Sequence, residues 1–194
     1  MMESIQIDTL PIASLEKKYQ ETIITCVGVA PSKTFKLADL QASCAIIANK
    51  KLRVKFAEEL AVQGLTLLNT FASTAIEAAY RCGESWLEEL LVYLKENIAF
   101  SKQFIAEKLP RLTVMEPEGT YILWIGYHNL HLTKEAAKEK LLTEGKLAVE
   151  LGEKFGQGGE GFIRMNIACP KETLQTGLEQ LQLAFSAPKK QETD

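Results

Sequence analysis

Residues 22–35 read TIITCVGVAPSKTF, and this stretch decides how the chain is laid out. Thr22 to Val29 is rich in β-branched and apolar residues, which predicts a buried strand. Gly28-Val29-Ala30-Pro31 is a turn signal. Ser32-Lys33-Thr34-Phe35 follows at once, so Lys33 is placed on a loop just beyond a strand. A lysine held rigidly in such a loop is partly desolvated. Desolvation disfavours a charged amine and makes it a nucleophile that condenses with an aldehyde cofactor. On spacing alone the plainer account, a surface lysine in a turn, is favoured.

Downstream of this stretch the middle of the chain reads as helical. One helix is predicted from Lys51 to about Gly64 and another from Ala72 to Tyr80. Ser85 and Glu88 form an S-x-x-E capping-box pair. Leu87, Leu91, Leu94, Ile98, Ile105 and Leu109 then recur at helical spacing as one apolar stripe, which Pro110 ends. The last third alternates. Thr120 to Tyr127 predicts a strand, and Thr133 caps a helix starting near Lys134. A glycine-rich loop spans Gly152 to Gly161, and Phe162 to Cys169 predicts a strand. Pro170 opens a final helix with Leu174, Leu178, Leu181 and Phe185 on one face. The fold class is α/β, which by itself assigns no function.

Composition narrows the classes. The chain has 194 residues, 46% apolar and 24% charged, as in ordinary globular proteins. A net charge of −3 leaves no basic surplus for nucleic acid. No apolar run is long enough to span a bilayer, and Met1 to Leu10 lacks the layout of a secretory signal. Cys26, Cys44, Cys82 and Cys169 form no C-x-x-C pair, and each is expected to be a free, small buried hydrophobe. These features point to a reducing cytoplasm. The tail from Ala187 to Asp194 is polar and expected to be disordered.

Arg164 is a second candidate. On a strand, Phe162, Arg164, Asn166 and Ala168 face one way, and Ile163, Met165, Ile167 and Cys169 the other. The guanidinium fork therefore stands opposite the apolar stripe, where it suits bidentate capture of a carboxylate or a structural ion pair. Ser32 can position a phosphate or bond its own backbone. Two decoys are set aside. Gly156-Gln157-Gly158-Gly159-Glu160-Gly161 matches G-x-G-x-x-G, but a strand follows it where a dinucleotide site needs a helix. His128 and His131 lie in a polar turn without further ligands nearby, so no metal site is expected.

Ala30-Pro31-Ser32-Lys33-Thr34-Phe35, Leu37-Ala38 and Leu40-Gln41-Ala42-Ser43 together resemble the cofactor-lysine segment of bacterial cystathionine β-lyases. These are class I/II aminotransferase-like, fold-type-I pyridoxal-phosphate enzymes. The likeness continues in order through Gly83-Glu84-Ser85-Trp86-Leu87, Glu118-Gly119-Thr120-Tyr121, Gly152-Glu153-Lys154-Phe155-Gly156 and Arg164-Met165-Asn166-Ile167-Ala168-Cys169-Pro170. It covers about Pro11 to Leu183, the C-terminal half of a family member.

The resemblance implies that Lys33 holds pyridoxal 5'-phosphate and then removes the Cα proton, that Ser32 lies near the cofactor phosphate, and that Arg164 binds the substrate's α-carboxylate. It implies a carbon–sulfur β-lyase acting on cystathionine or cysteine conjugates and releasing pyruvate and ammonia. A class I/II aminotransferase and a non-catalytic remnant are the alternatives. Residues 1–64 would be the remnant of the large domain, 65–186 the connecting helices and small domain, and 187–194 the tail. Intact members are expected to be homodimers, and an N-terminal-half partner chain is one possibility. That half would supply the phosphate-cradling helix, the stacking aromatic ring and the Asp that pairs with the pyridine nitrogen. None of these is visible here, so the fragment is expected to be inactive or incomplete. Four departures stand out: Lys36 for the usual Asn, Asp39 for Gly, Gly126 for Asp and Leu151 for Pro. Lys36 puts a second cation near Lys33, and Asp39 is the position where a positive φ would be most damaging. Gln41 replaces the phosphate-binding arginine of many aminotransferases, as in the lyase branch.

Overall fold

The computed structural model describes residue 22, residues 24–27 and residues 30–186. The Gly28-Val29 turn, Met1 to Leu10 and the tail 187–194 lie outside the described residues. The chain divides after Leu90 into two compact units.

The first unit carries a two-stranded antiparallel sheet. Strand β1, Ile24–Val27, pairs with β2, Cys44–Ile47, with Ile24 opposite Ile47 and Val27 opposite Cys44. The predicted strand is thus realised in its centre, while β2 is an addition. Helix α1, Lys50–Val62, follows directly. It starts at Asn49, whose side chain accepts hydrogen bonds from the backbone N–H groups of Lys51 and Leu52, satisfying two of the donors that a helix start leaves open. Arg53 Nη1 donates back to the Ile47 carbonyl at 2.6 Å and so fixes the strand-to-helix corner. Helix α2, Ala72–Cys82, comes next.

Helix α3, Glu84–Lys108, begins in the first unit and continues in the second. The capping-box expectation is corrected: Ser85 lies inside the helix, and the Gly83 carbonyl accepts the Leu87 N–H. Gly83 also closes α2, so one glycine serves both ends and leaves no room for a separate cap. The apolar stripe is corrected too, because Asn97 and Ser101 lie fully buried within it.

The second unit is a four-stranded antiparallel sheet in the order β3-β4-β6-β5, with β3 Thr113–Val114, β4 Ile122–Gly126, β5 Glu150–Leu151 and β6 Phe162–Asn166. Helix α4, Lys134–Thr143, joins β4 to β5 and is capped by the Thr133 hydroxyl as expected. Helix α5, Lys171–Phe185, starts after Pro170. Leu123, Ile125, Ile163, Met165 and Ile167 meet Leu174, Leu178, Leu181, Ala184 and Phe185 in a core completed by Ala137, Leu141, Leu94 and Ile105. Period-two alternation on β6 produces this: Ile163 and Met165 are buried, while Phe162 and Arg164 are only half-buried.

The units differ sharply in burial. Among the described residues of the first unit, Ala42, Ile47 and Ala72 are the buried apolar ones. Its Ile46, Val54, Val62, Leu65, Leu67, Leu68, Phe71, Tyr80 and Trp86 are exposed, Leu67 at 92%. The buried-cysteine expectation fails for Cys44 and Cys82, which are exposed, and holds only in part for the half-buried Cys169 of the second unit; the side chain of Cys26 lies outside what is described.

Asn97 is the polar tie of the second unit. Its Nδ2 donates to the carbonyls of Ile167, 2.9 Å away, and Cys169, 3.1 Å away, pinning α3 to the segment that leaves β6. An Asn97→Ala substitution leaves those carbonyls without a donor and is expected to cost about 2 kcal/mol. A lower urea midpoint, followed at the Trp124 indole NMR signal, checks this; an unchanged midpoint would mean the tie is not needed.

Candidate functional site

Lys33 sits in the connection between β1 and β2. The expected loop is instead a single π-helical turn, Ala30–Thr34, followed by a short helical turn at Ala38–Leu40. Pro31 accounts for this locally, since its fixed φ suits the first positions of a helical turn and its missing N–H is not needed there. Single π turns recur at functional sites because they re-aim side chains. Lys33 is exposed and Ser32 half-buried, so the partial desolvation expected of Lys33 is not seen in this chain. The turn is held from its C-terminal side. The Phe35 ring packs edge-on against Tyr80 at 5.7 Å and tilted against Trp86 at 6.2 Å. Gly83 makes room: a Cβ there would come within 2.7 Å of the Phe35 ring and 2.4 Å of the Ala79 carbonyl. The Gly83–Trp86 block thus acts by seating the lysine turn.

The two substituted positions beside Lys33 behave differently from expectation. Lys36 holds φ +55°, whereas Asp39 lies in the 3-10 turn and is not among the positive-φ residues. The strained departure is therefore the lysine. A left-handed backbone costs an L-residue about 1–2 kcal/mol, and asparagine tolerates it best after glycine. The other departures read plainly. A Cβ at Gly126 would meet Thr113 Oγ1 at 2.5 Å, so an aspartate has no space there without rearrangement.

Arg164 lies in the second unit, so the two candidates are described apart. On the sheet face opposite the core, Trp124, Arg164 and Glu150 form a cross-strand row, set by the pairings Trp124↔Arg164 and Glu150↔Arg164. Directly opposed side chains on one face touch. Arg164 Nη1 donates to Glu150 Oε2 at 2.5 Å, and Lys154 Nζ donates to Glu150 Oε1 at 2.5 Å. The Phe155 ring caps the guanidinium, 5.4 Å from its carbon, and stands edge-on to Trp124. A cleft of about 500 Å³ is lined by Glu150 and Arg164 together with the core-side Met165, Leu174 and Gly177 and with Gln180 of α5. The Lys154 hydrogen bond, foremost, holds the Glu150 carboxyl below its ordinary range; desolvation opposes it, and the Arg164 hydrogen bond and the charges of both cations add to the lowering.

The glycine-rich loop has a packing role. A Cβ at Gly152 or Gly159 would lie 2.1 or 2.0 Å from the other's carbonyl oxygen, so the loop's neck closes backbone to backbone. Gly161 runs under the His128 ring, which stands edge-on to Phe162 at 4.9 Å. His131 takes a left-handed φ of 55° that closes its turn. Among the described residues no three His, Cys, Asp or Glu side chains gather as a metal site.

Sequence reasoning missed Glu150, Lys154 and Phe155. The i,i+4 spacing of Glu150 and Lys154 was the available signal. Their convergence on Arg164 depends on a strand pairing 14 residues away in sequence.

No family model matches the chain. Cystathionine β-lyase PatB of Bacillus subtilis is 42% identical over 176 residues, 91% of this chain and 45% of PatB. Protein MalY of Escherichia coli is 32% identical over 157 residues, 80% of this chain and 40% of MalY. The homologues of this chain are cystathionine β-lyases with the aminotransferase fold. The chain spans less than half the length of these relatives and corresponds to their C-terminal part. Among solved structures, the pyridoxal-phosphate-containing cystalysin of Treponema denticola superposes with a TM-score of 0.85 at 28% identity, over 93% of this chain and 46% of cystalysin. The pyridoxal-phosphate-bound C–S lyase of Staphylococcus hominis gives 0.76 at 29% identity, over 86% of this chain and 42% of that enzyme. The fold class is therefore that of the aminotransferase-like enzymes, mixed α and β.

Two outcomes are expected. Lys36→Asn relieves the left-handed strain and raises stability by about 1 kcal/mol; thermal unfolding of the two chains side by side measures it, and a loss of stability would place the value of Lys36 in its side chain. Glu150 has a lowered pKa in the folded chain, so its ionised form adds stability above the ordinary carboxylate range. That contribution disappears as pH falls through the lowered pKa. Urea midpoints of the parent and Glu150→Gln should differ at neutral pH and converge in acid.

Proposed function

We propose that this chain is the lysine-bearing part of a pyridoxal-phosphate-dependent carbon–sulfur β-lyase acting on cystathionine or related cysteine conjugates. The observation that carries the proposal is Lys33, presented on a π turn that Phe35 anchors, within a segment matched to named cystathionine β-lyases. The residues present fit the cofactor in part. Lys33 is exposed and makes no hydrogen bond or ion pair among the described residues, so its amine is available to an aldehyde. Ser32 brings a hydroxyl next to it. When bound, pyridoxal phosphate supplies an electron sink for charge left at Cα.

The chain's own residues then divide the work. Lys33 would hold the cofactor through Nζ, and the same nitrogen, when free, would take the Cα proton as general base. Ser32 would donate to the cofactor phosphate. Arg164 would grip the α-carboxylate and fix the orientation of the substrate's Cα. A thiol leaves from Cβ, and with water the remainder becomes pyruvate and ammonia. In the whole enzyme residues 1–64 would belong to the large domain and 65–186 to the connecting helices and small domain. We further propose that the intact enzyme is a homodimer, with a second polypeptide carrying the other half as the alternative. The exposed apolar side chains of the first unit support such a cover, and the exposed thiols of Cys44 and Cys82 support a reducing cytoplasm.

The test starts from the 194-residue chain saturated with pyridoxal phosphate. Borohydride trapping and mass spectrometry are expected to place the label on Lys33 ahead of the other lysines, and Lys33→Ala to remove it. Even labelling of many lysines would end the assignment. Pyruvate release from cystathionine is expected to be slight, because site groups act non-additively and part of a site does not give part of a rate. Robust turnover abolished by Lys33→Ala would mean the site is complete in this chain. Turnover that needs a keto-acid acceptor would move the proposal to an aminotransferase.

A further inference from the structure

We propose that Glu150 is an internal stand-in for the substrate's carboxylate: it occupies the guanidinium of Arg164 in the resting chain and is displaced onto Lys154 when a carboxylate ligand arrives. The inference rests on the assignment of Arg164 as the carboxylate-binding residue and adds to it a residue that sets the affinity of that site.

Charge favours the exchange. Arg164, Lys154 and Glu150 form one connected group with two cations and one anion. The group carries a net charge of +1, so it is complementary to a monoanion. A planar guanidinium presents paired donors to a carboxylate, and Glu150 Oε2 already takes one of them, Nη1. An incoming carboxylate therefore competes with Glu150 for the same fork. The exchange leaves no charge stranded, because Glu150 Oε1 is already bonded to Lys154 Nζ. After displacement the ligand pairs with Arg164 and Glu150 pairs with Lys154.

Geometry says which partner yields. Arg164 sits mid-strand on β6, paired to β4 on one side and β5 on the other, with Phe155 against its guanidinium. Glu150 lies on β5, a two-residue strand at the sheet's edge. Lys154 is carried by the 3-10 turn that immediately follows, Gly152–Phe155, so the departing carboxylate keeps its second partner close by. Both side chains of the Arg164–Glu150 pair are about one-third exposed, 32% and 36%, which keeps the pair exchangeable. Exposed ion pairs of this kind are weak enough to be outcompeted.

The experiment uses the 194-residue chain without added cofactor, labelled with ¹⁵N. Sodium propionate is titrated at constant ionic strength while the Arg164 Nε–H signal and the backbone amide signals of Glu150, Lys154 and residue 164, present in every variant, are followed, with propionamide as the neutral control. Arg164→Lys assigns the signal and removes the fork. In Glu150→Gln the propionate affinity is expected to rise about twofold to fivefold, the range by which an exposed ion pair of this kind competes. Glu150→Ala serves as a second variant should glutamine disturb β5. Glu160→Gln makes the same change in net charge elsewhere and is expected to leave the affinity nearly unchanged. An affinity that is unchanged or weaker in both Glu150 variants, while Arg164→Lys still abolishes the response, overturns the stand-in role and leaves Arg164 as the carboxylate site. An equal gain in Glu160→Gln also overturns it, as the effect is then long-range charge. A propionate response that survives Arg164→Lys, or none in any chain, overturns both.

Discussion

The alternation of strand β6 between core and open face is the constraint on which the second unit turns. Ile163 and Met165 must point at α5 for the core to close, and Ile167 continues that line. A strand has a period of two, so Arg164 has no choice but the opposite face. A slip of one residue would bury a guanidinium and expose three large side chains, which the core could not survive. The chemistry of Arg164 is thus protected by packing it takes no part in. Asn97 adds a second lock, since its bonds to Ile167 and Cys169 fix where the strand stops being a strand.

The lysine turn depends on a different kind of support. A sheet of two strands has little stability of its own, and the described residues of the first unit bury few apolar side chains. What orders Lys33 locally is the aromatic group around Phe35 and the missing side chain of Gly83. The two candidate residues therefore rest on unequal foundations. Arg164 is presented by a finished core. Lys33 is presented by a corner whose surroundings remain open, in keeping with a chain that spans less than half the length of its relatives.

Much of this was legible in the sequence where the signal was local. The long apolar stripe of α3, the Thr133 cap, the alternation around Arg164 and the face of α5 all follow from spacing within a few residues. The misses share a cause. Strands β3 and β5 have two residues each and exist only because β4 and β6 are there to pair with. Strand β2, CAII, carries no alternation to announce it. Asn97 reads as an interruption of an apolar stripe until its distant acceptors are seen. The strain beside Lys33 was expected at Asp39 because glycine is usual there, yet the backbone bends left at Lys36. At the site, Arg164 was found from its own strand, but the carboxylate that holds it belongs to another, and no pattern along the chain joins them.

The glycine-rich loop illustrates a division between what a sequence may vary and what it may not. Its neck, at Gly152 and Gly159, is closed by backbone against backbone, and a Cβ at either would overlap the other's carbonyl. Its tip is different: a Cβ at Gly156 or Gly158 would meet nothing within 4 Å, and what favours glycine there is only the backbone, at φ +105° and +89°. A clamp at the base isolates the tip from strand β6, so changes of length there need not propagate to Arg164. For protein engineering this makes Gln157 a permissive graft point, where a short epitope or fluorophore-binding peptide could be inserted as a reporter beside the carboxylate row without passing through the core.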